Sequence, residues 1–317
     1  MNISSDIKIS VIIPCYNVSK HIEAVINGLP QEISHVIVVN DCSTDSTLSI
    51  LEQIAANNPK VHVLNHSINQ GVGGAMISGY KKSLELGADI SIKMDGDGQM
   101  DAANIPKLIQ PLIDGKADFT KGNRFRDLKA IKSMPIVRRI GNLGLSFLIK
   151  AASGYWNIFD PTNGFTAIKN ETLAEINLDK LHKRYYFETS MIAELYFSNT
   201  VIFDVPMKAK YGDEVSGLSS TKTLFEFPPK LLVTFLKRIV KKYFLYDFNI
   251  GSLYLLTGTP IFLYGIIFGF VKFEQYTKLG IGAPTGTVVI PSLLIILGFQ
   301  LLLSGLVFDV NNYPKKQ

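Results

Sequence analysis

Ile90-Ser-Ile-Lys-Met-Asp-Gly-Asp-Gly-Gln-Met-Asp101 is the stretch on which the reading of this chain turns. Ile90, Ile92 and Met94 alternate with smaller or polar residues, as a short strand requires. The strand then runs out into two carboxylates, Asp95 and Asp97, separated by one glycine. An acidic pair at a strand end suits a hard divalent cation such as Mg2+ or Mn2+, which takes carboxylates together with the oxygens of a phosphate-bearing substrate. Taken alone, the pair could equally be a surface Asp-Gly turn, and its surroundings have to decide.

Those surroundings read as repeated strand, polar loop and helix. Ile9 to Pro14 is a buried strand ended by proline, Tyr16-Asn17 begins a loop, and a helix over 19–29 follows with Ser19 as candidate N-cap. His35 to Val39 is a second, continuously apolar strand, followed by the polar run Asn40 to Asp45 and a helix carrying Leu48, Leu51 and Ile54. Val61 to Leu64 is a third strand, and Asn69-Gln-Gly71-Val-Gly73-Gly74 opens a helix to about Leu86. The order predicts an α/β fold with a mostly parallel sheet, whose functional residues sit beyond the carboxyl ends of the strands. The glycine cluster has neither P-loop nor dinucleotide spacing; it serves close helix packing or offers free amides to an anion.

After the acidic pair come a helix over 104–113, a short strand before Arg124, and a basic, partly apolar segment over 129–153 that includes Arg138 and Arg139. Arg124 could grip a diphosphate with two parallel hydrogen bonds or simply be exposed. Asp160-Pro-Thr-Asn-Gly164-Phe165 reads as a turn before a strand over 165–168, residues 181–197 as a helix carrying Glu188, and Val201 to Pro206 as a late strand.

Beyond Pro228-Pro229 the composition changes. Residues 231–248 form a basic amphipathic helix candidate in which Leu232, Phe235, Leu236 and Ile239 face apolar material while Lys237, Arg238, Lys241 and Lys242 stay near anionic headgroups. Two uncharged apolar stretches follow, 250–271 and 288–308, of 22 and 21 residues. Each is long enough to cross a bilayer, and their prolines and glycines are tolerated there. The expected organisation is a catalytic domain over 1–228, a juxtamembrane helix over 229–249, spans over 250–271 and 288–308 joined by a short outer loop over 272–287, and a tail over 309–317. The basic residues before the first span and in the tail put the large domain and the C-terminus in the cytoplasm. The expected location is a bacterial inner membrane. Gly251, Gly258, Gly265 and Gly269 are spaced for close helix approach between subunits, so a homo-oligomer is an expectation.

Composition narrows the partners. The net charge of +5 equals the charge carried by Lys230, Lys237, Arg238, Lys241 and Lys242, so the remainder is balanced and no nucleic-acid footprint is expected. Cys15 and Cys42 read as free thiols in a reducing compartment, and the N-terminus lacks the basic-then-apolar pattern of a signal peptide. A cytosolic phosphorylated donor and a lipid acceptor fit a soluble α/β domain with its own bilayer anchor.

In order along the chain, Val11-Ile-Ile-Pro14-Cys-Tyr-Asn17, Val38-Val-Asn-Asp41-Cys-Ser-Thr-Asp45, Asn69-Gln-Gly71 and Met94-Asp-Gly-Asp97-Gly-Gln99 resemble the inverting family 2 glycosyltransferases. Gly122-Asn-Arg124, Asp160-Pro-Thr-Asn-Gly164-Phe165 and Phe203-Asp-Val-Pro206 resemble their dolichyl- and polyprenyl-phosphate branch. The resemblance covers about residues 8–220 and implies a GT-A-like, nucleotide-sugar-binding sheet. It implies that Pro14, Tyr16 and Asn17 border the nucleotide base, with Asp41 on the base or ribose side and Asp95 in the nucleotide pocket. Asp97 and Gln99, helped by Asp95, would place Mg2+ or Mn2+ on the diphosphate. Arg124 would lie near the donor phosphates, and Arg138 or Arg139 would attract the lipid phosphate. Asp160 would orient acceptor or sugar, with Glu188 a second acid/base or orienting candidate. Each role has a plain counterpart: packing for Tyr16, an N-cap for Asp41, a surface ion pair with Arg184 for Glu188. One departure stands out, because where relatives place an arginine after the late strand this chain has Lys208-Ala-Lys210; Lys210 could supply charge to a lipid phosphate but not the bidentate fork.

The expected activity is transfer of a sugar from a UDP- or GDP-linked donor to a polyprenyl phosphate, with inversion and metal assistance, as part of building a cell-envelope glycan. The alternatives are a transferase that extends a lipid-linked saccharide, and a membrane-tethered nucleotide-sugar-binding protein without turnover.

Overall fold

The computed structural model describes residues 7–124, 136–207 and 220–316. The chain forms two units, Met1–Phe235 with Pro314–Gln317, and Leu236–Tyr313. In the first, β1 (Ile9–Cys15), β2 (His35–Asn40), β3 (Val61–Asn65), β4 (Ile90–Lys93), β5 (Phe119–Asn123), β6 (Thr166–Lys169) and β7 (Ile202–Pro206) make a sheet in the order β3-β2-β1-β4-β6-β5-β7. Only β6 runs against its neighbours β4 and β5; the other paired strands are parallel. The helices are α1 (Ile22–Asn27), α2 (Thr47–Asn57), α3 (Val72–Glu85), α4 (Ile105–Ile113), α5 (Ile136–Ser153), α6 (Asn170–Glu175) and α7 (Phe187–Phe197), and α8 (Ser220–Val240) crosses into the second unit.

Both faces of the sheet are covered, which is why its strands are apolar on successive residues rather than on alternate ones. Ile9, Val11 and Ile13 pack with Val38, Ile92, Leu108 and Ile109 on one face, while Ile12, Ile37 and Val39 pack with Tyr80, Phe187 and Met191 on the other. Since β1, β2 and β4 are parallel, the residues after Cys15, Asn40 and Lys93 emerge along one edge of the sheet. The stretch Asp95 to Gln99 therefore shares an edge with Tyr16, Asn17 and Asp41.

Several expected local features are different. Helix α1 starts at Ile22 with no side-chain cap, and the Ser19 amide donates instead to Asp45 Oδ2 at 3.2 Å. Asp41 caps no helix, since α2 begins at Thr47 after Ser46. The predicted helix over 181–197 begins only at Phe187, and one carbonyl before it, that of Lys183, serves α3. Gly74 N–H donates to Lys183 O at 2.9 Å, and a Cβ on Gly73 would come within 2.2 Å of His182 O. The amides of Gln70 and Gly71 are spent on Asp41. The glycine cluster thus serves close packing, and three of the amides that could have held an anion are engaged.

Helix α8 continues through Pro228 and Pro229, although neither can donate to the carbonyl four residues earlier. Phe227 and Leu231 are buried with Ile149, Ala152 and Tyr186, whereas Leu232 and Leu236 are exposed. The second unit contains a π-helical turn (Lys241–Tyr246) and two long helices, α9 (Ile250–Leu279) and α10 (Thr285–Asn311), both long and apolar enough to cross a membrane. Gly258 faces Leu301 and Leu302, Gly265 faces Leu294 and Ile295, Gly269 faces Pro291, and Gly251 faces Tyr243 and Phe308. The close approach expected between subunits is therefore made within one hairpin. Arg238, expected among headgroups, is 1% exposed and bonds Asp309 through both guanidinium ends at 2.6 and 2.9 Å, while Tyr243 Oη donates to the same carboxylate at 2.6 Å.

Two outcomes test this packing. Gly73→Ala forces a Cβ against a backbone carbonyl and should cost about 1–3 kcal/mol, read as a lower melting temperature. Asp309→Ala strands a buried guanidinium and should cost about 3–5 kcal/mol in detergent unfolding, with Arg238→Met/Asp309→Leu recovering most of the loss. Unaltered unfolding of the Asp309→Ala chain would contradict the assignment.

Candidate active site

The turn after β1 is set by Asn17, whose backbone takes the left-handed value φ 54°. Asn17 Oδ1 accepts from Thr44 N at 2.8 Å, and its amide donates to Ser43 Oγ at 3.0 Å, which ties the ends of β1 and β2 together. Tyr16 beside it is 50% exposed, an open aromatic face at the sheet edge. Asp41 is buried and fully engaged: it accepts from Gln70 N at 2.9 Å, Gly71 N at 2.7 Å and His66 Nδ1 at 2.7 Å. The opposite ring nitrogen of His66 meets Ser78 Oγ at 2.9 Å. Asp41 therefore shapes the 69–71 loop beside the edge.

Lys93, the last residue of β4, and Lys121 on β5 both pair in register with Thr166 of the strand between them. Both lysines are buried on the face covered by α7, whose first turn supplies Glu188. Lys93 Nζ lies 2.7 Å from Asp95 Oδ1 and 3.4 Å from Glu188 Oε1. Burial lowers the Lys93 pKa, but the two carboxylates outweigh it and the net shift is upward. Lys121, held by the Asn163 carbonyl, is pulled down to about 8, chiefly by burial. Glu188 thus faces inward to Lys93 rather than making a surface pair.

Arg124 and Asp160 form one unit. Arg124 Nε and Nη2 donate to Asp160 Oδ2 and Oδ1 at 2.8 and 3.2 Å, and the Arg124 amide donates to Oδ2 at 3.3 Å. Asp160 is fully buried, while the Arg124 side chain is 39% exposed. The loop carrying Asp160 is anchored by Asn163, which donates to Gly122 O at 2.8 Å and accepts from Phe165 N at 3.0 Å. Gly164 ends the loop against the acidic pair: a Cβ there would fall 2.4 Å from Lys93 Nζ and 3.1 Å from Asp95 Oδ2.

Asp97 Oδ1 accepts the Gln99 amide at 2.9 Å, which fixes the Asp-Gly-Gln turn. Among the described residues no group of three or more His, Cys, Asp or Glu side chains converges on one point. Two carboxylates at a sheet edge suit Mg2+ or Mn2+, which complete their shell with substrate phosphates and water. The donor set therefore fits such an ion. Arg138 and Arg139 belong to the first turn of α5, their side chains lying outside the described residues, as does Lys210. Cys15 and Cys42 are free thiols, and burial pushes the Cys15 thiol up.

Lys93, Lys121 and His66 are given no role by motif, and Asp204 lies within the Phe203-Asp-Val-Pro206 motif without a role of its own. The available signal was two lysines inside strands covered on both faces, positions where a charge has to be partnered. Asp204 Oδ2 accepts from Phe159 N at 2.7 Å and Asn123 Nδ2 at 3.0 Å, so it braces both segments that carry the Arg124–Asp160 pair. Burial pushes its carboxyl up to about 6, while among the described residues its Oδ1 has no hydrogen-bond partner. A carboxyl raised by folding stabilises the protein below its unfolded pKa, and that contribution disappears as pH rises through the folded value. The melting temperature of the native chain relative to Asp204→Asn should therefore fall between pH 5 and about 7, and a difference independent of pH would refute the assignment.

The family model described as glycosyl transferase family 2 matches residues 10–176. The chain is 34% identical over 236 residues to the UDP-N-acetylglucosamine–dolichyl-phosphate N-acetylglucosaminyltransferase of Methanococcus voltae, covering 70% of this chain and 93% of that one. It is 30% identical over 203 residues to the undecaprenyl-phosphate mannosyltransferase of Micrococcus luteus, covering 63% and 82%. Its fold is similar to glucosyl-3-phosphoglycerate synthase from Mycobacterium tuberculosis, solved with Mn2+, UDP and glucosyl-3-phosphoglycerate, at TM-score 0.52 and 18% identity over 74% of this chain and 80% of that one. With the acidic pair closing a strand of a mostly parallel sheet, and with the match running through β1 to α6, this chain belongs to glycosyl transferase family 2.

Proposed function

We propose that this chain transfers a sugar from a UDP- or GDP-linked donor to a polyprenyl phosphate, with inversion at the anomeric carbon. One observation carries the choice of acceptor: the two carboxylates that could serve as a general base, Asp160 and Glu188, are both held by cations, Arg124 and Lys93. A sugar hydroxyl needs a base, whereas a phosphate is already anionic at neutral pH. The Methanococcus and Micrococcus relatives, whose names place a polyprenyl phosphate as acceptor, support the same reading.

In the step proposed, an oxygen of the lipid phosphate forms the new bond to the anomeric carbon. The bond from that carbon to the diphosphate breaks, and the nucleoside diphosphate leaves with the electron pair. No proton has to be removed from the nucleophile. Pro14, Tyr16 and Asn17 border the base, with Asp41 holding the 69–71 loop behind it. Asp95, Asp97 and Gln99 would hold Mg2+ or Mn2+, which supplies charge neutralisation at the departing diphosphate. The exposed side of Arg124 meets the donor phosphates, kept in place by Asp160. Arg138, Arg139 and Lys210 attract the lipid phosphate. Helices α9 and α10 anchor the enzyme as an integral membrane protein, with the basic segment before them at the cytoplasmic surface where nucleotide sugars are made available.

Purified full-length protein with Mn2+ should convert a nucleotide sugar plus polyprenyl phosphate to polyprenyl-phosphate sugar, with UDP-N-acetylglucosamine the first donor to assay. Asp97→Ala should lower turnover by about a hundredfold or more, in the range of losing one transition-state contact, and leave membrane association unchanged. No product across UDP- and GDP-linked sugars would sink this reading, and product only with a saccharide acceptor would favour extension of a lipid-linked glycan.

A further inference from the structure

The acidic pair is asymmetric, and the asymmetry comes from a residue outside the motif. Asp95 Oδ1 is occupied by Lys93 Nζ at 2.7 Å, while among the described residues Oδ2 takes no hydrogen bond and lies against Gly164. Lys93 cannot swing away. It is 1% exposed, enclosed by Tyr80, Lys121, Thr166 and Phe187, and held from the opposite side by Glu188 at 3.4 Å. Gly164 completes the enclosure, since any side chain there would displace either the ammonium or Asp95 Oδ2.

We propose that Lys93 is a positioning residue: by occupying Oδ1 it confines Asp95 to its Oδ2 oxygen, so that a divalent cation is held firmly only when a donor diphosphate completes its ligands. The proposal rests on the reading of Asp95 and Asp97 as a cation and diphosphate site. A carboxylate that already shares its charge with a fixed ammonium is a poor bidentate ligand. Asp97, with Oδ1 turned to the Gln99 amide, is then the main protein ligand, and nucleotide oxygens have to supply much of the rest. Glu188 is a counter-ion of Lys93 in this arrangement and takes no proton from the acceptor. The consequence is coupling: ion and nucleotide each strengthen the binding of the other by the same factor.

The test is Mn2+ binding to the full chain in detergent, followed by the paramagnetic resonance of free Mn2+, alone and with UDP or GDP. The native chain should bind Mn2+ at least about tenfold more tightly with one of the nucleotides than without, within the usual range of such couplings. Lys93→Met should tighten binding of Mn2+ alone and shrink that factor to about threefold or less, whereas a lysine needed only for packing would weaken binding or leave it unaltered. Should Lys93→Met fail to fold, Lys93→Met/Glu188→Gln removes the buried cation together with its second counter-ion. Lys93, Asp95 and Glu188 carry one net negative charge between them, and Asp95 alone carries the same after both substitutions. Tightening in the double variant therefore reports the freed Oδ1 rather than a change of charge. Equal coupling in native and substituted chains overturns the proposal alone. No binding of Mn2+ by the native chain with either nucleotide overturns the reading of the site and the proposal with it.

Discussion

A protonated lysine sealed inside the sheet is the constraint around which the site is arranged. Lys93 can keep its charge there only if carboxylates meet it, and two do, from different parts of the chain: Asp95 from its own strand and Glu188 from α7. Its neighbour across Thr166, Lys121, adds a second buried amine, whose pKa burial pulls down to about 8 and which donates to the Asn163 carbonyl. The 160–164 loop has to pass close to both, which fixes a glycine at 164 and turns the Asn163 carbonyl onto Lys121. Strand, loop and helix are thereby drawn to one point, and the acidic pair is placed as a by-product of satisfying buried charge.

The same logic governs the outer ring. Asp160 is buried because Arg124 neutralises it through two donors, and the segments bearing both residues are braced by Asp204. Asp41 is buried because two loop amides and an imidazole converge on it. These carboxylates act on the site through the segments they hold, a role that leaves the exposed face to Tyr16, Asp95, Asp97 and the outer side of Arg124. Transfer of a glycosyl group to a phosphate oxygen asks for such a rigid arrangement of charge, because positions of donors and ions matter more than proton movement when the nucleophile is already anionic.

Much of the architecture was legible because it is carried by local patterns. Apolar runs of four to seven residues ended by proline or polar loops mark β1, β2 and β3, and the acidic pair marks the end of β4. The antiparallel insertion of β6 between β4 and β5 was not legible, since the short strands before and after it in the chain, Phe119–Asn123 and Ile202–Pro206, give no sign of which neighbour each will choose. Helix caps failed for a related reason: Ser19 and Asp41 have the right chemistry for a cap, yet their partners come from segments distant in sequence, Asp45 accepting the Ser19 amide and Asp41 accepting from Gln70. Lys93 is visible in the sequence as a polar residue alternating with Ile92 and Met94, and the covering of both faces makes that position a buried charge.

Arg238 repeats that lesson at the other end of the chain. By composition it belongs with Lys237, Lys241 and Lys242 on a polar face, yet helical spacing puts it on the same stripe as Phe227, Leu231 and Thr234, eleven, seven and four residues before it. Once turned inward it requires a carboxylate, and the acid at the end of α10, Asp309, answers it with both oxygens while also accepting from Tyr243. A charged residue near an apolar helix is therefore better read from the stripe it occupies than from the sign of its neighbours. Lys93 and Arg238, both buried cations, are each fixed by an acid that composition alone would have assigned to solvent or to catalysis.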